Sequence, residues 1–451
     1  MKTLLLVAVA IVVAGCSAVD PYRLMSRGPG STVQIVPVAS VDDSWKAAAI
    51  DAVWNTVNDR YYDPKFNGVD WRSVRTQEEP KILAATSDDE FWERLDKMTG
   101  ELHDAHTRVH SPKDVARMRN NESHSLGIGF IELDGQLVLT SVHPDSDAYW
   151  AGARAGMVIK TIDGQPAQGV YHRALDESRN TSTPWARTRG ALRKLTVGDV
   201  GSKLAMTFVR SDGSEIIATL ARRKFVTPVD FSQRVLPSGF GYLRFSNFVD
   251  SLEGRIIEGV ELLKDTPGMI VDLRNNGGGS AALAASVMER FFEKNQKGVK
   301  VPTRTGKGVS LFFIEVIPTE PELKGTGARA YTKPLVILTN LGSASASEVV
   351  AGTLQDGERA TVIGQRSCGC LLGFLGYQDL PGGGQLAYSE LGYLTSKGRK
   401  IEGEGVIPNI EVPLTREDIV SNRDRTLEAA EAFLKQQTAS KALSAPTTTG
   451  K

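Results

Sequence analysis

Leu335-Val336-Ile337-Leu338-Thr339-Asn340-Leu341-Gly342-Ser343-Ala344-Ser345-Ala346-Ser347-Glu348-Val349-Val350-Ala351 passes from an apolar run, through small and polar residues, into a second apolar run. A short apolar run bounded by turn residues predicts a buried strand, and the serines that follow open a helix from Ser347 to Leu354. A strand feeding a helix in this way is the repeating unit of an α/β layer architecture. It also sets Ser345 at a helix mouth, where free backbone N–H groups stabilise negative charge. Upstream, Met269-Ile270-Val271-Asp272-Leu273 reads as another strand, ending in Arg274-Asn275-Asn276-Gly277-Gly278-Gly279 before a helix from Leu283 to Phe292. Glycines there let the backbone approach a carbonyl group without a side chain between. Each loop alone also has a purely structural reading, as a serine N-cap and a glycine turn.

Working outward, Gly241–Phe245 is a further strand, and before it the grammar changes twice. Short apolar runs at Ile128, Phe130, Leu137–Leu139 and Val142 are split by Asp134-Gly135 and Pro144, the pattern of strands and turns. Ahead of them, Trp45, Ala48, Val53, Trp54 and Val57, then Phe91, Leu95, Met98 and Leu102, recur at helical spacing, with Ser87-Asp88-Asp89 as cap acceptors. With 451 residues, the chain exceeds what one core supports, roughly 250–300 residues. We therefore expect a multidomain α+β protein: signal segment 1–15, tether 16–42, N-terminal helical domain 43–120, β-rich domain 121–225, α/β core 226–420, and a C-terminal helix with a disordered tail over 421–451.

Composition narrows the class. Hydrophobic residues at 41% and charged residues at 24% match water-soluble globular domains. Lys+Arg and Asp+Glu are 53 each, so no net field gathers nucleic acid. Met1-Lys2-Thr3, the apolar run Leu4 to Val13, and Ala14-Gly15-Cys16 follow the order of a secretory signal. That run falls short of the about 20 residues needed to span a bilayer. After Cys16 only Cys368 and Cys370 remain, one residue apart, too close for an easy unstrained bridge. No disulfide framework is implied, a lone Cys-x-Cys is a poor zinc signal, and neither metal nor organic cofactor is implied.

Three resemblances add to this reading. Val13-Ala14-Gly15-Cys16 looks like a bacterial lipobox, which implies lipidation of Cys16 and a periplasm-facing protein anchored in the bilayer. With Ser17 next, the outer membrane is slightly favoured. Leu126-Gly127-Ile128-Gly129, Ala151 to Gly156 and Val158 to Gly164 together resemble a PDZ domain, in which the Leu126–Gly129 loop would hold a peptide's C-terminal carboxylate. Asp272–Gly279 and Gly342–Glu348 resemble the D-L-R-x-N-x-G-G and G-S-A-S-A-S-E blocks of the C-terminal processing, tail-specific serine peptidases, with Gly277 where many members have proline. That resemblance spans about 43–415. It implies a crotonase/Clp-protease-like core, Ser345 as nucleophile, an oxyanion hole from the N–H groups of Gly278 and Ala346, and a protein or peptide substrate engaged through its C-terminus.

The family's better-known branch pairs its serine with a lysine in a G-x-x-x-x-G-K segment. Here Gly364-Gln365-Arg366-Ser367-Cys368-Gly369-Cys370 places Cys370 at that lysine, and Phe374 replaces a supporting glutamine. A serine without a base is a poor nucleophile. The tricorn-core branch uses histidine and glutamate instead. Leu102-His103-Asp104-Ala105-His106-Thr107 resembles its histidine segment, which implies His106 as base, and Ile401 to Asn409 resembles its C-terminal block, which implies Glu402 as orienting acid with Glu404 as substitute. The alternative is a non-catalytic, PDZ-containing peptide-binding or scaffold lipoprotein. If Cys16 carries the anchor, Cys16→Ser moves the protein from the membrane to the soluble fraction with its activity intact. A wild-type mature protein that fractionates as soluble without detergent contradicts the anchor.

Overall fold

The computed structural model describes residues 44–119, 124–225, 230–311 and 314–444. The signal segment, Cys16, the tether and the extreme C-terminus lie outside these residues.

The strand that ends at Thr339 is interior to its sheet. Six strands run in the order Phe231–Val235, Gly241–Phe245, Met269–Asp272, Leu335–Thr339, Thr361–Gly364 and Ile410–Glu411, the first pair antiparallel and the rest parallel. Side chains alternate across a strand, and here both faces are covered. Met269, Val271, Leu335 and Ile337 enter one core with the helices Asp250–Leu262, Ala281–Glu289 and Ala346–Asp356. Ile270, Val336 and Leu338 enter the other, under the helix Arg425–Ser444 through Ala430 and Leu434. Burial on both faces is why these strands read as continuous apolar runs. The helix expected over Leu283 to Phe292 ends at Glu289, and Phe291 and Phe292 turn into the core instead.

The β-rich stretch folds around its own core. Its strands Ile128–Leu133, Gln136–Val142, Val158–Ile162, Lys203–Val209 and Glu215–Ala221 are antiparallel neighbours, and Gln165–Pro166 adds to Val158–Ile162. Ile216, Ala218 and Leu220 point inward in strict alternation. The helices Ala167–Asp176 and Pro184–Thr196 belong to the same body and contribute Tyr171, Ala174 and Ala191 to its core.

At the N-terminal end, the helices Ser44–Arg60, Trp71–Leu83 and Asp88–Gly100 bury Ile50, Val53, Trp71, Phe91 and Leu95 against Leu380, Leu386 and Tyr388, which come from far along the chain. Ser87 caps the third helix by accepting the Glu90 N–H. A short strand, Arg108–His110, then pairs antiparallel with Gln385–Ala387. This pairing fixes the segment just before it, which carries His106.

An ion pair locks the β-rich body to the N-terminal helices. Arg179 lies 3.4 Å from Asp96 and also donates to the Thr107 carbonyl at 2.7 Å. Burial alone would raise the Asp96 pKa, but the Arg179 and Arg108 charges and the Val109 N–H hold it below the ordinary value. A depressed carboxylate stabilises the fold above its unfolded pKa of 3.8, and that contribution is lost as pH falls through the folded value. Removing one member of a buried pair costs about 3–5 kcal/mol. Arg179→Met therefore lowers the urea midpoint of the N-terminal unit at pH 7, and the gap to wild type closes below about pH 4. An unchanged midpoint at pH 7 contradicts this role.

Candidate active site

Ser345 stands at the N-cap of the Ala346–Asp356 helix with φ 54° and ψ −119°. A positive φ is costly for a residue with a Cβ, and such conformations collect at functional sites because the surroundings must enforce them. The surroundings here are explicit. The Ser345 N–H is shared between the Cys370 carbonyl and Glu348 Oε2, each at 3.0 Å. Ser343 and Ser347 flank it as structural residues: Ser343 Oγ donates to the Leu273 carbonyl at 2.7 Å and Ser347 Oγ to the Asn276 carbonyl at 2.9 Å.

The glycine loop meets the serine turn directly. Gly278 has φ +94°, and a Cβ there would lie 2.7 Å from Ser345 Cβ and 2.8 Å from the Ala346 nitrogen. Only glycine leaves the space beside the serine open. Ala346, as the first helical residue, has no intrahelical acceptor for its N–H. The Gly278 N–H is donated to Asn276 Oδ1 at 2.9 Å. Asn276 is itself fully buried and accepts the Ala344 N–H on its carbonyl at 3.0 Å. Asn340 and Asn275 clamp the outer ends of the two loops, Asn340 Oδ1 accepting the Asn275 N–H at 2.8 Å.

Behind the serine, Glu348 is fully buried and accepts four hydrogen bonds: from Ser345 N–H, Ser367 Oγ at 2.5 Å, Gly369 N–H at 2.7 Å and Cys370 N–H at 3.0 Å. Burial pushes its pKa up to about 7 against the pull of these donors. In the sequence Glu348 looks like an ordinary capping residue, a glutamate three residues into a helix.

The segment Ser367–Cys370 corrects an expectation. Cys368 and Cys370 are joined in a disulfide, although their spacing predicts no easy unstrained bridge. Gly369 adopts φ +69°, which folds the turn and leaves the two Cα atoms 5.2 Å apart, inside the range that disulfides span. Cys370 therefore offers no thiol as base or nucleophile in this state.

His106 lies in the loop between the helix Asp88–Gly100 and the strand Arg108–His110. Its N–H is fixed by Asp104 Oδ1 at 2.7 Å, and its Nδ1 is buried with no hydrogen-bond partner. Burial, with the Arg108 charge, lowers its pKa below 6.5, while Asp104 opposes the shift. His103 is exposed and no candidate, and His110 stacks edge-on against Tyr377. Ala105 packs on Ala344, Cys368 and Cys370, which brings the histidine loop against the serine turn.

Glu402 is buried and Glu404 exposed, which separates the two acid candidates. Glu402 Oε2 accepts the Leu371 N–H at 2.5 Å, and its Oε1 is buried without a partner. Burial first, then the Asp104 charge, push its pKa well above the carboxylate range, against the pull of Ser182 and the Leu371 N–H. Ser182 also accepts the Ala105 N–H at 2.8 Å, so one hydroxyl from the β-rich body touches both the histidine loop and the acid. Next to it Thr183 Oγ1 donates to the Cys368 carbonyl at 2.8 Å. Ser182 and Thr183 carry no sequence signature, and only the folded chain brings them to the site; Asn276 lies in the D-L-R-x-N-x-G-G block, but its hydrogen bonds become visible only in the fold.

The Leu126–Gly129 loop lies at the far end of the Pro184–Thr196 helix. Its Leu126 N–H donates to the Thr196 carbonyl at 3.1 Å and its Gly127 N–H to Ser125 Oγ at 3.2 Å. Gly127 has φ +68° and faces the Phe225 ring, while Ile128 and Gly129 pair with Val142 and Ser141. Among the described residues no group of three or more His, Cys, Asp or Glu is arranged around a metal site.

Known proteins resemble this chain over most of its described length. Residues 239–412 match the model of peptidase family S41, and residues 47–100 match that of the tricorn protease C1 domain. The chloroplastic C-terminal processing peptidase of Tetradesmus obliquus is 28% identical over 384 residues, covering 80% of this chain and 75% of that protein. The carboxyl-terminal-processing protease of Synechocystis sp. is 27% identical over 388 residues, covering 84% of each. Among solved structures, a photosystem II C-terminal processing protease superposes with a TM-score of 0.56 at 25% identity, covering 87% of this chain and 97% of that one. Mature CPAF superposes with a TM-score of 0.68 at 16% identity, covering 88% of this chain and 98% of that one, which speaks for the fold. With its strained serine at the helix mouth and the glycine loop beside it, this chain carries a peptidase family S41 domain over residues 239–412 and a tricorn-type C1 domain ahead of it over residues 47–100, and is a serine peptidase.

Proposed function

We propose that this peptidase cleaves protein or peptide substrates in the bacterial envelope through Ser345, His106 and Glu402, and that the β-rich body is a PDZ domain whose Leu126–Gly129 loop receives the substrate's C-terminus. One observation carries the catalytic assignment. Two loops that share the Ser182 hydroxyl each present a buried polar atom without a partner, Nδ1 of His106 and Oε1 of Glu402. Buried polar groups are rarely left unpaired, and a donor and an acceptor so placed are complementary. A bond between them would hold the imidazole with its other nitrogen free for Ser345.

In this reading Ser345 Oγ attacks the scissile carbonyl carbon and passes its proton to His106. The carbonyl oxygen becomes an oxyanion held by the Ala346 N–H, joined by that of Gly278 once it is released from Asn276. The imidazolium then protonates the leaving amine, and water, activated by the same histidine, hydrolyses the acyl-enzyme. Glu402 is reluctant to ionise next to Asp104. An imidazolium formed beside it relieves that reluctance, so the pair is most strongly attracted when the transition state forms. The carboxylate loop of the PDZ body has spent two of its N–H groups internally, so a peptide terminus must exchange with the Thr196 carbonyl and Ser125 to bind. A lipid anchor at Cys16 would keep the enzyme at the membrane surface with its site facing the periplasm.

The neutral histidine is the base, so kcat/KM rises with pH. In Glu402→Gln the remaining step attributable to His106 falls below 6.5, as its burial dictates. Adding Arg108→Gln, which removes a charge that depresses His106, moves that midpoint upward. His106→Ala costs about as much as Ser345→Ala, on the order of 10⁴-fold or more in kcat, and Glu402→Gln costs less. Near-wild-type cleavage of a peptide substrate by His106→Ala, or a midpoint indifferent to Arg108→Gln, refutes the assignment.

A further inference from the structure

The turn Cys368-Gly369-Cys370 touches the serine turn, Glu348, and the loops that carry His106 and Glu402, and its backbone leaves nothing unpaired. The Cys368 N–H donates to the Ser343 carbonyl at 2.9 Å, and the Cys368 carbonyl accepts from Thr183 Oγ1 at 2.8 Å. The Gly369 N–H donates to Glu348 Oε1 at 2.7 Å, and the Gly369 carbonyl accepts the Gly403 N–H, next to Glu402, at 2.9 Å. The Cys370 N–H donates to Glu348 Oε2, and the Cys370 carbonyl accepts the Ser345 N–H, each at 3.0 Å. Both cysteines are buried, and they pack with Ala344 of the serine turn, Ala105 of the histidine loop and Ala186 of the Pro184–Thr196 helix.

Such a turn needs a constraint. Its centre is a glycine at positive φ, the residue with the most conformational freedom to lose. Position 369 cannot take a stiffer residue, because a Cβ there would lie 2.7 Å from Thr183 Cγ2 and 2.9 Å from the Gly405 nitrogen. The crosslink supplies the rigidity that the glycine withholds. The Ser345 backbone sits in a conformation that its neighbours must enforce, and one of its two N–H acceptors is the Cys370 carbonyl. Relaxing the turn therefore frees the serine.

We propose that the Cys368–Cys370 disulfide is a positioning element of the catalytic site: closing this turn holds the Ser345 backbone, and through Ala105 and Gly403 the histidine and acid loops, in the reactive arrangement. This rests on the assignment of Ser345 as nucleophile. A dithiol reductant supplies two electrons and two protons, the S–S bond becomes two thiols, and the reductant becomes its cyclic disulfide. The turn then keeps its hydrogen-bonding groups but loses its covalent restraint. The consequence falls on turnover rather than binding, because the turn lies behind the serine and not in the path of the substrate.

The test uses the mature full-length protein and a peptide substrate. Alkylation with iodoacetamide, read by mass on the tryptic peptide, counts free thiols before and after dithiothreitol. We expect none before and two after treatment, with kcat lowered roughly ten- to a hundredfold, in line with the cost of slight misplacement of reacting groups, and KM nearly unchanged. Removing the reductant and reoxidising restores kcat, a reversal that general damage would not give. The double variant Cys368→Ala, Cys370→Ala has the lowered kcat from the start and no response to dithiothreitol, while its thermal unfolding shows that it is folded. Two alkylatable thiols in the untreated protein, or full kcat with both thiols free, overturns the proposal. In that case abolition of activity by Ser345→Ala still upholds the nucleophile, whereas activity surviving Ser345→Ala removes the reading on which the proposal stands.

Discussion

Everything about the serine turn depends on one buried carboxylate. Glu348 gathers the Ser345 N–H from its own helix and the Ser367 hydroxyl and the Gly369 and Cys370 N–H groups from the neighbouring loop. Four donors satisfy an ionised carboxylate and leave no acceptor for a protonated one, so hydrogen bonding opposes the upward push of burial. Each donor left without its acceptor in the interior would cost about 1–3 kcal/mol. The carboxylate thus holds a backbone conformation that Ser345 would not adopt by itself, and it does so by welding the helix mouth to the 367–370 loop.

The rest of the molecule brings two further loops to that weld. Pairing of Arg108–His110 with Gln385–Ala387 places the histidine loop, and the return of the chain through Gly403 to the Gly369 carbonyl places Glu402. The β-rich body fixes both. Its Arg179 holds the carbonyl of Thr107, its Ser182 the loop before His106, and its Thr183 the carbonyl of Cys368. Thr183 also caps the Pro184–Thr196 helix, whose last carbonyl group holds the Leu126 N–H. A single helix therefore ends at the Cys368 turn on one side and at the Leu126–Gly129 loop on the other.

How much of this was legible depended on how local the physics was. The strands at Met269 and Leu335, the helix after Ser345 and the open space at Gly278 follow from neighbouring residues, and the sequence declared them. His106 and Glu402 were reached only through family resemblance, since a histidine in a loop and a glutamate among glycines carry no pattern of their own. Glu348 was invisible because its weight comes from donors nineteen to twenty-two positions away, at Ser367, Gly369 and Cys370. The disulfide was misjudged from spacing alone: one intervening residue forbids a bridge along an extended chain but not around a glycine at positive φ.

The central claim is that Ser345 is activated by its surroundings although Cys370 occupies the position of the lysine in the G-x-x-x-x-G-K segment. Labelling of the purified mature protein with a fluorophosphonate probe, read by mass on the tryptic peptide, tests it most directly. The account predicts modification at Ser345 in the wild type and almost none in His106→Ala. Absence of label from a folded wild-type protein, or equal labelling with and without His106, would contradict it.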